Sequence, residues 1–385
     1  MKTFSKCLAI VLAVAGAATL AGCNNGSPNY KTATTANWNV RTSASVEENS
    51  FEFWQTQKEV ATYKVEFTEG SNDSYKVSYN YSSATYTTEF YMLAAYDWKS
   101  DKIIEEYRST EEGSDTEPVY VYTTSFAISG EYQLKPNGDR KQFSDELITT
   151  SYFRPAGKNL QPVYSYQKVK NTAPATLSTG SIDAAYVEID EEYETFYNKQ
   201  CSQATVIKTV AGKDEKETKK IGLSSEYSNF DNSQLRAAVR AFTLSGGASR
   251  TFNVVTPQNG NLQGVTASVS SPVELDTQIE DANMKVIYKG ITSALDNAPD
   301  NYIFFDGTVD DKQDGEKDRN YRYSAVTLSI NESLRGTSPT MWYSTVENND
   351  VNGTRCVLLR MSNPLSFGLG TLNYTLKTLT LETIQ

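Results

Sequence analysis

The chain has 385 residues, a formal net charge of −11 and no histidine, and its aromatics are dominated by Tyr, with 25 against 15 Phe and 4 Trp. The lack of histidine excludes Ser-His-Asp and Cys-His catalysis, His-ligated zinc and histidine proton switching. The acidic balance argues against nucleic acid and anionic lipid headgroups as partners, while Tyr with abundant Ser and Thr suits the half-buried surface of a β-sheet.

In chain order, the first segment reads as an export signal. Lys2 and Lys6 flank the start of an apolar stretch from Cys7 to Leu20, rich in Ala, Val and Leu. That stretch is shorter than the ~20 residues a membrane-spanning helix needs. Leu20-Ala21-Gly22-Cys23 follows and resembles a bacterial lipobox. The resemblance implies that residues 1–22 are removed and that the Cys23 thiol is acylated. A multiply acylated Cys23 would hold the mature chain at a membrane, on its extracytoplasmic face. Residues 23–48, rich in Asn, Ser, Thr and Ala without apolar periodicity, read as a flexible tether. Cys7 leaves with the signal, so Cys201 and Cys356 are the cysteines left for the domain. An oxidising compartment favours a disulfide between them; spacing alone leaves two thiols as the alternative.

From residue 49 the apolar period is two. Ala61, Tyr63, Val65 and Phe67 alternate with polar neighbours, as do Tyr75, Val77, Tyr79 and Tyr81. Tyr86, Thr88, Phe90 and Met92 share one face of a strand, and Tyr120, Tyr122, Phe126 and Ile128 share another. Further strands are expected near 149–154, 162–169, 185–190, 203–210, 251–256, 264–270, 284–289, 302–305, 323–330, 341–346, 355–361 and 371–381. Turns such as Pro136-Asn137-Gly138-Asp139 and Asn259-Gly260 separate them, and short connections favour antiparallel pairing. Residues 49–385 thus read as one β-rich domain, with Asn171–Gly180 as the best place for a subdivision.

One segment departs from the period of two. Leu235, Ala238, Val239 and Phe242 have helical spacing, Asp231 and Gln234 have capping-box spacing, and Gly246-Gly247 closes the run. This predicts an amphipathic helix of about three turns lying on the sheet, with Arg236 and Arg240 together away from the stripe on a solvated or ion-paired face, anion binding being the alternative.

Motifs for chemistry are sparse. The acidic run Asp306–Asp318 contains oxygen ligands and glycines, but counting from Asp310 puts Lys312 and Tyr321 at positions where an EF-hand needs ligands. It reads as a solvated, metal-free hairpin tip, and Glu188–Glu192 as a charged strand face. No phosphate loop, GxGxxG or GxSxG motif is present, and no carboxylate pair stands out for glycoside hydrolysis. No catalytic, cofactor-binding or metal residue is assigned, and the chain reads as a non-enzyme.

Three stretches carry a second resemblance: Thr149-Thr150-Ser151-Tyr152-Phe153-Arg154 leading through Leu160-Gln161-Pro162-Val163, then Asp231–Leu235 with Arg240, then Met341-Trp342-Tyr343 with Gly368–Tyr374. Together they resemble exported bacterial domains built on an open antiparallel half-barrel, similar in shape to lipoprotein carriers. The acidic run at 306–320 departs from that pattern. The resemblance implies an all-β, mainly antiparallel fold, a large curved sheet or open half-barrel or sandwich with one short amphipathic helix. It transfers no catalytic residue. The function expected is a membrane-anchored binding or envelope-assembly module for an apolar or amphipathic ligand; the alternative is a structural lipoprotein that binds another envelope protein. A filled core with an exposed strand edge would favour the alternative.

Overall fold

The computed structural model describes residues 57–69, 77–93, 119–134, 140–156, 159–172, 189–198, 200–224, 228–240, 249–258, 260–270, 273–275, 321–330, 339–344, 358–364 and 370–383. The signal at 1–22, Cys23, the tether, Cys356, the acidic run at 306–318 and the strands expected near 284–289 and 302–305 lie outside the described residues.

Among the described residues, sixteen strands form one sheet. From β1 (Gln57–Glu69) the chain runs outward through β2 (Val77–Leu93), β3 (Val119–Leu134), β4 (Arg140–Ala156), β5 (Asn159–Asn171), β6 (Ile189–Tyr197), β7 (Gln203–Val210) and β8 (Lys216–Gly222). Each strand pairs antiparallel with its predecessor. The chain then appears at the opposite end of the sheet as β9 (Asn229–Asp231), followed by the helix α1 (Leu235–Arg240). It returns through β10 (Ser249–Thr256), β11 (Asn261–Val269), β13 (Tyr321–Ile330), β14 (Thr340–Ser344) and β15 (Leu358–Pro364) to β16 (Gly370–Thr383), which pairs with β1; β12 (Val273–Leu275) pairs with β13 beside this path. The β9–β10 pair is parallel and the others are antiparallel.

The connectivity itself requires a rolled sheet. Strands β8 and β9 end the path on opposite sides, yet only residues 223–228 separate them. An extended chain spans at most ~3.6 Å per residue, so the two ends lie within about 25 Å of each other. Among the described residues the ladder does not close. Instead the β9–α1 segment lies over the inner face of β5, joined to it by side-chain hydrogen bonds from Ser165 and Gln167. The expected all-β, mainly antiparallel sheet with a single short helix is therefore what the described residues form.

Alternation explains the two faces. In β1, Ala61 and Tyr63 are buried while Lys64 and Glu66 point to solvent. Strand β2 changes phase along its length: Tyr81 packs on the core from an odd position, whereas from Ala84 onward the inner positions are even. A β-bulge at Ser82 joins the two phases: Tyr81 faces Gly130 and Ser83 faces Ser129, which leaves Ser82 as the extra residue. Gly130 is required there, since a Cβ would sit 2.2 Å from the Asn80 carbonyl oxygen. A second bulge, between Tyr152 and Phe153, gives β5 the extra residue Val163.

Three strands were not expected from the sequence: β8, β9 and β12. Strand β8 reads Lys-Glu-Thr-Lys-Lys-Ile-Gly and buries Ile221 alone, so it has no apolar alternation. Strand β9 is too short to show a period. The 185–190 expectation is displaced into β6, and the 149–154 expectation is the second half of the longer β4.

Candidate functional site

The inner face of strands β2 to β6 carries a trough of small, hydroxylated side chains between bulky rows. Cross-strand pairing aligns Thr88, Thr124, Thr149 and Gln167 in one row, and Tyr122, Ser151, Ser165 and Thr195 in the next. Tyr86, Phe126 and Leu147 flank the first row, and Tyr120 and Phe153 flank the second. All of these residues are buried. Small side chains let another backbone approach closely, and their hydroxyls can bond to it; the Thr124 and Thr149 hydroxyls are 2.7 Å apart.

Residues 229–239 fill this trough. Every one of them is buried, including Asp231, Asn232, Ser233, Gln234 and Arg236. Phe230 packs between Phe153 and Phe252, at ring distances of 6.1 and 5.9 Å. The expected capping box is present. The Asp231 amide donates to Gln234 Oε1 at 2.9 Å, and the Gln234 amide returns a 2.9 Å bond to Asp231 Oδ1. Asp231 Oδ1 also accepts from the Ser233 amide at 2.9 Å and from Ser233 Oγ at 2.6 Å. Across the trough, Ser165 Oγ donates to Asp231 Oδ2, Gln234 Nε2 donates to the Tyr164 carbonyl at 3.1 Å, and Gln167 Nε2 donates to Asn232 Oδ1 at 3.3 Å. Gln258, at the end of β10, donates to Gln167 as well.

The helix differs from its expectation in its surroundings. It is described over Leu235–Arg240, after a turn at 232–234, the expected continuation to Phe242 lies outside the described residues, and residues 235–239 have no solvent face. A helix enclosed on all sides carries its polar groups into the core. Arg236, expected on a solvated face, is buried instead, and its Nη1 donates to Tyr86 OH at 2.9 Å with the guanidinium 5.5 Å from that ring. Burial works against this charge; the surrounding Tyr86, Tyr374 and Tyr122 more than offset it, and the Arg236 pKa lies above the usual value. Tyr343 OH donates to the Arg236 carbonyl at 3.4 Å. The side chain of Arg240 is not among those described.

Buried titratable groups gather at the other end of the segment. Burial pushes the Asp231 carboxyl up to about 6, with the bonds from Ser233 and Gln234 pulling the other way. Tyr197 is lifted well above 10 by burial, with Asp231 and Cys201 adding to the effect.

Cys201 lies in the β6–β7 turn at φ +49°, and its Sγ is 3.9 Å from the Pro162 carbonyl. Its expected partner Cys356 lies outside the described residues. In the acidic run at 188–192, Glu191 is held by Lys208 at 2.7 Å. Among the described residues no group of three or more His, Cys, Asp or Glu side chains is placed to hold a metal ion.

The sequence reading missed the trough. Its signal was the recurrence of Thr and Ser at inward positions of β2 to β6, where apolar residues would otherwise alternate. Comparison of the chain with protein-family models, curated proteins and solved structures gives no match.

Proposed function

We propose that this chain is an exported bacterial lipoprotein, anchored through Cys23 after removal of residues 1–22, whose β domain is a structural or interaction module for another envelope protein. The lipobox-like Leu20-Ala21-Gly22-Cys23 supports the anchor. One observation carries the choice of module over carrier: the inner face is occupied by the chain's own residues 229–239, while among the described residues β8 ends the sheet with no strand on its outer side. An apolar ligand needs an open concavity, and among the described residues the large inner-face aromatics are already covered. An unpaired strand edge offers backbone donors and acceptors to a partner strand.

The test is site-directed photocrosslinking in the native host. A photoreactive residue at Lys220 on β8 should give one discrete protein adduct, and the same residue at the exposed Lys64 of β1 should give none. If Lys220 yields no adduct while the purified chain retains lipid, the carrier reading replaces this one. The anchor is tested separately: Cys23→Ala should remain an unprocessed precursor that takes up no labelled palmitate.

A further inference from the structure

We propose that residues 229–239 form a proton-controlled plug, seated in the hydroxyl-lined trough when Asp231 is protonated and released from β5 more often when Asp231 is ionised. The distribution of bonds around Asp231 carries this. Its Oδ1 takes three bonds, all from Ser233 and Gln234 of the same turn, and these travel with the segment when it lifts away. Seating adds a single donor to the carboxylate, Ser165 Oγ, and removes water from a fully buried charge. Burial of a carboxylate with so little new solvation disfavours the ionised form.

A protonated Asp231 fits the same place better. Its hydroxyl can donate to Ser165 Oγ, which frees the serine proton for a neighbour. The neighbours in that cross-strand row are Ser151 and Thr195, whose buried hydroxyl oxygens otherwise have no hydrogen-bond partner. The other side-chain contacts that join this turn to β5 and β10 do not titrate: Gln234 to the Tyr164 carbonyl, Gln167 to Asn232, Asn232 to Gln258, and Gln258 to Gln167. Among the described residues, the titratable groups facing Asp231 are Tyr197 of β6 and, beside Tyr197, Cys201 of the β6–β7 turn. Strand β5 presents Ser165 and Gln167, and β10 pairs through Asn253, Val254 and Val255, none of which ionises. Arg236 shares the segment but keeps its charge throughout.

The sign follows from linkage. Seating raises the Asp231 pKa from 3.8 to about 6, so the seated form gains as pH falls through 6, and that gain is lost as pH rises through it. Between pH 5 and 7.5 the opening equilibrium of the segment rises roughly tenfold. Hydrogen exchange with mass spectrometry on the full chain measures this, reading peptides within 229–239 after correction for intrinsic exchange. The wild type should open roughly tenfold more at pH 7.5 than at pH 5, and Asp231→Asn should show no such dependence. Equal opening at both pH values in the wild type, or a persistent dependence in Asp231→Asn, overturns the proposal. If Asp231→Asn does not fold, Ser165→Ala decides: it keeps Asp231 and must keep the dependence, and a flat response overturns the plug.

Discussion

Tyr86 serves two neighbours at once. Its ring packs on Tyr63 and Tyr374 at 5.2 Å each, and its hydroxyl accepts from the Arg236 guanidinium. A buried cation with a lost acceptor cannot recover the bond from water, so the loss weighs more than an ordinary hydrogen bond. Tyr86→Phe keeps the ring and removes that acceptor. It should destabilise the chain by about 1.5–3 kcal/mol, read from urea unfolding with an unchanged slope. A loss below the scatter of the measurement would mean that Arg236 is held by other partners. Arg236 also shows why residue-scale reading of the sequence went astray. An arginine between Leu235 and Ala237 in a helical run has the same pattern on a wet surface as in a tyrosine-lined core, and only the surroundings distinguish the two.

At the scale of elements, the bulge in β2 and the glycine opposite it form one device. The bulge re-phases the strand so that Tyr81 and Tyr86 both face inward, and Gly130 makes room for the displaced backbone at Asn80. Gly130→Ala should cost about 1–3 kcal/mol through overpacking, seen as a lower denaturation midpoint; wild-type stability would show that the bulge relaxes freely. Much of the sheet was legible from alternation: β1, β3, β7, β10 and β16 lie where period-two runs put them. Strand β8 was not, because a short edge strand that buries Ile221 alone among its side chains shows no apolar alternation, and lysines are a common edge residue. The capping box was legible because its chemistry is local. The trough was not, since a row such as Ser151, Ser165 and Thr195 exists only once β4, β5 and β6 are in register. Exposed lysines on β8 also guard the edge. Replacing Lys216 and Lys220 with Ile should produce concentration-dependent association in sedimentation velocity, and a chain that stays monomeric would show that the edge is protected in another way.

For the molecule as a whole, the decisive seam is the one between β1 and β16. Its register runs from Gln57 opposite Thr383 to Glu69 opposite Gly370, with a single irregularity at Thr62/Tyr63. Tyr63 reinforces it by donating to the Leu358 carbonyl at 3.0 Å. Strand β1 is central in the sheet, flanked by β2 on its other side. A chain cut after Pro364 leaves β1 as a raw edge beside Ala61 and Tyr63. It should lose the cooperative thermal transition of the full chain in circular dichroism; a retained sharp transition would show that the two arms fold separately. The same seam sets a timetable. Among the described strands a ribosome releases β1 first and β16 last, so the pairing of these two waits until the other described strands have been made. Contacts that join such distant residues carry a large closure entropy and form slowly. A polypeptide with its keystone pairing at the two extremes of its strand order stays threadable while it is being made, and locks only once its final strand has arrived.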